Sequence, residues 1–507
     1  MEDLTSSLLQ LIVETSTNLP GDVRQAVAEW RDREDAQTLS GQAVRIICEN
    51  SDRALTNRVP LCQDTGMLTF WIKCPQGTNH ALVTRSIHEA VATATRMGVL
   101  RPNSVDSLTG KNSGLNLGPG TPVLHFEQHE REDLDVTLLM KGGGCENQNA
   151  QFALPCEFPG LGRADRDLNG VYKAILYAVY QAQGHGCSAG FLGVCIGSDR
   201  EGGYAEAKRQ LLRPVQDQNP VPELAELEER IVRDANQLGI GTMGFGGRVT
   251  ILGCKIGALN RLPASFFVSV AYNCWAYRRM GVRLSSSTGE ILEWRFRPES
   301  PARLAETVAA VPGRRVKRIS TPLAREAVES LEVGDLVLVS GIIYTGRDGL
   351  HKYLMSHEPP VSLRDAIIYH CGPVMTKDEL GRWVVKAAGP TTSMREEPYQ
   401  GEVLRRTGAR AVCGKGGMGS GTLKALQEMG GVYLNAIGGA AAYYADTVES
   451  VEGVYLLDEL GPPEAMWVLR VRDFPAIVTM DAHGNSLHEQ VREASGQALR
   501  EIGSELV

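Results

Sequence analysis

At 507 residues the chain exceeds the size at which a single hydrophobic core keeps growing, so two domains are expected. Its 43% hydrophobic and 22% charged content is that of an ordinary globular protein and excludes wholesale disorder. A formal net charge of -8 argues against a nucleic-acid surface, which is built from clustered Lys and Arg, and leaves any anionic substrate to a local basic pocket.

The chain begins Met-Glu-Asp-Leu-Thr, without the basic start and apolar run of a signal peptide, and no later stretch approaches ~18 apolar residues without a charge. A cytoplasmic protein without a membrane partner is expected. The first 50 residues read as helical: Leu4, Leu8 and Leu11 share a face, and Pro20-Gly21-Asp22 break and recap the chain before Val23, Val27 and Trp30. From 59 to 297, Gly-rich turns separate mixed apolar segments, among them a helix over 87–97 that stops at Gly98. Residues 298–318 turn Pro- and Arg-rich, which predicts a first domain over 1–298, a linker over 299–315 and a second domain over 316–507. In that second part short β-rich runs at 336–339, 384–387, 432–434, 467–471 and 476–480 alternate with glycines and helical stretches such as 421–429, as in a compact α/β domain.

Eleven cysteines are many for a chain expected to stay reduced, and none forms a CxxC pair, so zinc-finger and thioredoxin readings fail. Four glycine-rich segments, 141–144, 241–247, 414–419 and 438–439, can serve as tight turns or present backbone N–H groups to an anion. None is a P-loop, because Lys415 sits inside its glycine run with no Ser or Thr directly after it. Cys62-Gln63-Asp64-Thr65-Gly66 places a thiol and a carboxylate two residues apart, either as a metal ligand beside an acid-base group or as an Asp-x-Gly turn. An aspartic-protease reading requires a second Asp-Thr/Ser-Gly, which the chain lacks. Gly389-Pro390-Thr391-Thr392-Ser393-Met394-Arg395 gathers hydroxyls and a guanidinium, suited to a carboxylate or equally to a helix N-cap. Arg347-Asp348 reads as a second carboxylate contact or as an ion pair at a strand end.

These motifs occur in one order: Cys62 to Gly66, Lys141 to Gly144, Gly389 to Thr392 with Arg395, Gly414 to Gly417, and Asp458-Glu459-Leu460-Gly461. In that order they resemble the class I fumarases and the related tartrate dehydratases and mesaconases, over nearly the whole chain and with the α and β portions fused. The resemblance implies an α/β fold of two domains, a large cluster-binding N-terminal α/β domain and a smaller swivelling-type β/β/α C-terminal domain. It also implies a 4Fe-4S cluster on Cys62, Cys187 and Cys274 that leaves one iron open and sensitive to oxygen. Cys195 competes with Cys187 for the second position, and the offset to Gly197 favours Cys187; the remaining eight cysteines read as structural.

By the same resemblance the chain is a hydro-lyase, reversibly hydrating a small dicarboxylate such as fumarate, and a homodimer. Thr391 would remove the carbon-bound proton in the elimination direction, activated by Lys415 or Arg347, while Asp64 assists the leaving hydroxyl. Gln63, Arg101, Gly144, Arg347, Thr392, Arg395 and Lys415 match positions that hold the substrate. One position departs: Leu262 stands where the family commonly has His, which opens the alternative of a mesaconate- or tartrate-type dehydratase with an altered pocket. A non-catalytic cluster-based oxygen sensor and a zinc hydrolase are the remaining readings; three separated cysteines without a His pattern make a poor zinc site.

Overall fold

The computed structural model describes residues 2–305 and 316–505, so the part of the expected linker at 306–315 lies outside the described residues. By contacts the chain divides into two units, each built from separated segments. The first comprises Met1–Gly21, Ile46–Gly142 and Arg278–Ser486, and the second Asp22–Arg45, Gly143–Tyr277 and Leu487–Val507. Helices Glu2–Thr17, Gly21–Arg33 and Leu39–Asn57 make up the helical start, and the next helix runs His80–Arg96 with Met97 as its C-cap.

The first unit contains two large sheets and a two-stranded one, Val374–Lys377 with Trp383–Ala387. One has five strands, in the order Ile291–Arg295, Arg278–Ser285, Asp133–Lys141, Met67–Cys74, Val123–Gln128, with only the last pair parallel. Side chains alternate faces along a strand. Leu68, Phe70 and Ile72, then Val136, Leu138 and Met140, then Met280, Val282 and Leu284 therefore all point one way, against Leu4, Leu8, Leu11, Ile87 and Val91 of two helices. The 3.6-residue period of those leucines and the two-residue period of the strands meet in one core.

The other sheet has seven strands and its hydrogen-bonded order returns on itself, because Leu336–Thr345 pairs with Met466–Met480 as well as with its parallel neighbours. Leu336–Thr345, Ile367–Tyr369, Ala411–Gly414 and Val432–Asn435 run parallel, and Met466–Met480 closes the ring antiparallel to both ends. The two runs expected at 467–471 and 476–480 are thus one fifteen-residue strand. The interruption that separates them in sequence, Asp473-Phe474-Pro475, is absorbed by a positive φ of 49° at Asp473 and a register shift opposite, between Val339 and Gly341.

The second unit is built on four strands in the order Ala150–Ala153, Phe267–Cys274, Gly190–Gly197, Ile251–Leu259, accompanied by helices Leu168–Ala182, Arg200–Gln210 and Pro222–Gln237. Among the described residues no helix is long and apolar enough to cross a membrane.

Leu138 is fully buried at the middle of the first core. Leu138→Ala is expected to cost about 3 kcal/mol through lost transfer energy and a residual cavity. Thermal unfolding followed by circular dichroism would register this as a lower midpoint; an unchanged midpoint would contradict the assigned core.

Candidate active site

In sheets of parallel strands, ligand sites form beyond the carboxyl ends. In the first unit those ends carry a concentrated set of the residues singled out in the sequence. Thr345 is followed by Gly346-Arg347, Tyr369 by His370-Cys371-Gly372, and Gly414 by Lys415. The segment 389–395 is tied across them: Thr391 N donates to His370 O at 2.7 Å, Lys415 N to Thr391 O at 3.2 Å, and Ser393 N to Lys415 O at 3.0 Å. Gln63, 2% exposed, donates through Nε2 to Pro390 O at 3.0 Å, which joins the loop after Leu39–Asn57 to the same segment. Gly389 lets that amide approach, since a Cβ there would stand 2.1 Å from Gln63 Oε1 and displace it.

Asp64 sits among cations. Its Oδ1 is 3.6 Å from Arg101 Nη2 and accepts from Gly66 N at 3.1 Å, while Arg278 Nη2 donates to its backbone oxygen at 2.6 Å. Burial alone would push the carboxyl's pKa up, but the charges of Arg101, Arg278 and Lys415 outweigh it and hold the group far below the ordinary carboxylate range. Arg101 is itself 4% exposed, fixed by bonds from Nη1 to Gly372 O (2.8 Å) and from Nη2 to Asn103 Oδ1 (2.9 Å). Burial and the neighbouring Arg347 push its pKa down to about 10, with Asp64, Cys371 and Cys62 pulling the other way.

Arg395 Nη2 donates to Thr391 Oγ1 at 2.9 Å, so the cation bonded to that hydroxyl is Arg395, whereas the sequence pointed to Lys415 or Arg347. Thr391 is buried, and the Thr392 Oγ1 is enclosed without a hydrogen-bond partner among the described residues. Thr392 precedes the short turn Ser393–Glu396 but makes no side-chain cap bond, so the N-cap reading of this segment is not realised. Arg347 pairs with Glu464 at 3.1 Å and not with Asp348, which instead lies 3.7 Å from Arg395.

Beneath this layer His351 and His370 are fully buried, each 2.8–2.9 Å from Gln400 through Nε2. His370 Nδ1 lies 2.8 Å from Ser393 Oγ, which also accepts from Tyr433 at 2.8 Å. Burial drives both histidines' pKa values below the ordinary value, so the rings are neutral.

In the second unit, Cys274 ends its strand as the register partner of Gly190, three residues past Cys187. Cys195 pairs with Ser269, five residues farther along, which at ~3.3 Å per residue is about 17 Å from Cys274. The buried hydroxyl of Tyr272 has no hydrogen-bond partner among the described residues, and neither do the amide atoms of Asn273. Burial, followed by the nearby thiols of Cys145, Cys187 and Cys274, pushes the phenol's pKa well up. Two thiols beside orphaned polar groups suit a soft, thiolate-bound metal centre. Among the described residues no group of three His, Cys, Asp or Glu is close enough to hold a metal ion by itself. Gly144 is the second residue of the short helix Gly143–Glu146 of this unit. Leu262 is 72% exposed in the loop between two strands, not enclosed as a pocket wall would be.

Sequence reasoning missed Arg278 and Asn103 beside Asp64. The available signal was Arg278-Arg279 opening a strand that continues Met280-Gly281-Val282, since paired arginines that are buried must be charge-compensated.

Residues 5–283 match the family model described as Fumarate hydratase (Fumerase), and residues 290–491 match Fumarase C-terminus. The chain is 59% identical over 509 residues, 99% of both chains, to "Putative fumarate hydratase class I" of Geobacillus stearothermophilus. It is 31% identical over 281 residues to "Putative L(+)-tartrate dehydratase subunit alpha" of Methanocaldococcus jannaschii, covering 54% of this chain and 95% of that one. With "L(+)-tartrate dehydratase subunit beta" of Escherichia coli it shares 38% identity over 174 residues, 34% of this chain and 86% of that one.

Because the unfolded chain's histidines take up protons near 6.5 while buried His351 and His370 do so only at lower pH, their contribution to stability is complete above 6.5 and declines as pH falls below it. The thermal midpoint should therefore drop from pH 7 to pH 5, and drop less in His351→Gln, which has no ring to protonate. Equal drops in both proteins would contradict neutral burial.

Proposed function

The chain belongs to the class I fumarate hydratase family and is a hydro-lyase, and from that premise we propose that it reversibly hydrates fumarate to malate with a bound 4Fe-4S cluster. The observation that carries this reading is the gathering of ionised Asp64, Arg101, Arg347, Lys415 and the Thr391–Arg395 pair in one unit. A dianion with two carboxylates a short carbon chain apart is the ligand such a ring of cations serves. The 59% match to "Putative fumarate hydratase class I" over 99% of both chains does not favour the mesaconate-type, tartrate-type or sensor alternatives, and the exposure of Leu262 gives the altered-pocket reading no support.

Cys62, Cys187 and Cys274 are the thiolates that would hold the cluster; strand register supports Cys187 over Cys195. When bound, the cluster supplies a Lewis-acidic iron with a position open to substrate and water. Arg101, Arg347, Arg395 and Lys415 hold the substrate carboxylates, with Gln63, Gly144 and Thr392 lining the site. In the hydration direction the Asp64 carboxylate, kept ionised by Arg101, Arg278 and Lys415, takes a proton from water as its oxygen adds to one alkene carbon. Thr391 delivers its hydroxyl proton to the other carbon. The oxyanion left on Oγ1 is stabilised by the Arg395 guanidinium, 2.9 Å away. In elimination the same atoms act in reverse, Thr391 removing the carbon-bound proton.

The family match also supports the division into 1–298 and 316–507 as two inherited modules, since two family models, over 5–283 and 290–491, meet near residue 290. A homodimer in the cytoplasm is part of the same proposal.

Anaerobic reconstitution with iron and sulfide should give a brown protein that hydrates fumarate and loses both colour and activity in air. Thr391→Ala should keep the visible cluster absorption and lose at least ~100-fold in kcat. Turnover surviving in that variant would remove Thr391 from proton transfer, and zinc without labile sulfide in the wild type would remove the cluster.

A further inference from the structure

Glu396 is the residue after Arg395, closing the turn Ser393–Glu396 and capping the helix Glu397–Thr407. Its side chain is fully buried, and neither carboxyl oxygen has a hydrogen-bond partner among the described residues. An ionised carboxylate in that setting would lack both solvent and compensating donors, so the resting form is the neutral acid. The groups facing it are Arg395 on its own turn, Arg347 and Asp348 at the start of the packed helix Asp348–Leu354, and Tyr433 from the sheet. Glu397, next in sequence, is engaged elsewhere, accepting from Gly419 N and Thr422.

The layer behind it completes the picture. His351 Nδ1 lies 2.9 Å from Arg347 O, a carbonyl that can only accept, so the neutral ring carries its proton there and must accept at Nε2. The Gln400 amide therefore turns its NH2 toward both His351 and His370.

We infer that Glu396 is a positioning residue for the Arg347–Arg395 pair: its neutral carboxyl leaves both guanidiniums to the substrate, and on losing its proton it draws them back. Burial first, and then the repulsion of Asp348, push its pKa up to about 8 against the pull of Arg395 and Arg347, so the change falls in an accessible range. This inference rests on the reading that Arg347 and Arg395 hold the substrate carboxylates. It predicts a rise in KM as Glu396 ionises, from weakened carboxylate contacts, together with a fall in kcat, because Arg395 also stabilises the Thr391 oxyanion.

The test measures KM and kcat for fumarate with the anaerobic holoenzyme from pH 7 to pH 9, where both substrate carboxylates stay ionised. With a pKa of about 8 the neutral fraction falls about tenfold over that range, so wild-type KM should rise about tenfold. In Glu396→Gln, a permanently neutral shape-match, the rise should disappear. A flat wild-type KM, or the same rise in Glu396→Gln, overturns the inference. Calorimetry of succinate binding to wild-type holoenzyme at pH 8, in buffers of different ionisation enthalpy, needs neither the variant nor turnover. Uptake of about half a proton supports the role, and none overturns it. An enzyme active at pH 7 with a flat KM sinks only Glu396, whereas inactivity toward every dicarboxylate counts against the proposed function.

Discussion

The ionised carboxylate of Asp64, enclosed by Arg101, Arg278 and Lys415, is the interaction on which the rest of the site depends. A carboxylate out of water is costly unless paired, and three guanidinium or ammonium groups close together are costly unless an anion is among them. Each side makes the other tolerable. The arrangement also leaves surplus positive charge, since Arg101, Arg278 and Arg347 all retain a buried Nε without a partner among the described residues. Such a surplus explains how a chain with a formal charge of -8 can favour a small dianion at one place.

The fold delivers these groups through backbone geometry more than through side-chain packing. Parallel strands end together, so Arg347, His370 and Lys415 arrive at one edge although they are far apart in sequence. The turn carrying Thr391 and Arg395 is then fixed by main-chain bonds to two of those strand ends. Rigidity of this kind lets a threonine, a poor acid-base group in water, keep a guanidinium on its hydroxyl.

Local patterns in the sequence were readable to the extent that their causes are local. Leu4, Leu8 and Leu11 announce a helix because 3.6-residue periodicity is a property of the segment itself, and Gly98 marks a helix end for the same reason. The long strand Met466–Met480 was read as two because Pro475 and a left-handed Asp473 look like a break, and only pairing with Leu336–Thr345 keeps it continuous. Partners chosen by tertiary contact were hidden altogether: Glu464 for Arg347 and Arg278 for Asp64. The assembly of each unit from three separated segments has no local signature either. Motif order identified the family; only the structure revealed the neutral histidine layer and the buried Glu396 beneath it.

The central claim is that this cluster of cations holds a dianion by both carboxylates. It is tested most directly by calorimetric binding of succinate and butyrate to the anaerobic holoenzyme at neutral pH. The account predicts that succinate binds at least ~100-fold more tightly, because butyrate leaves some of the buried cations unpaired. Equal affinities would contradict it.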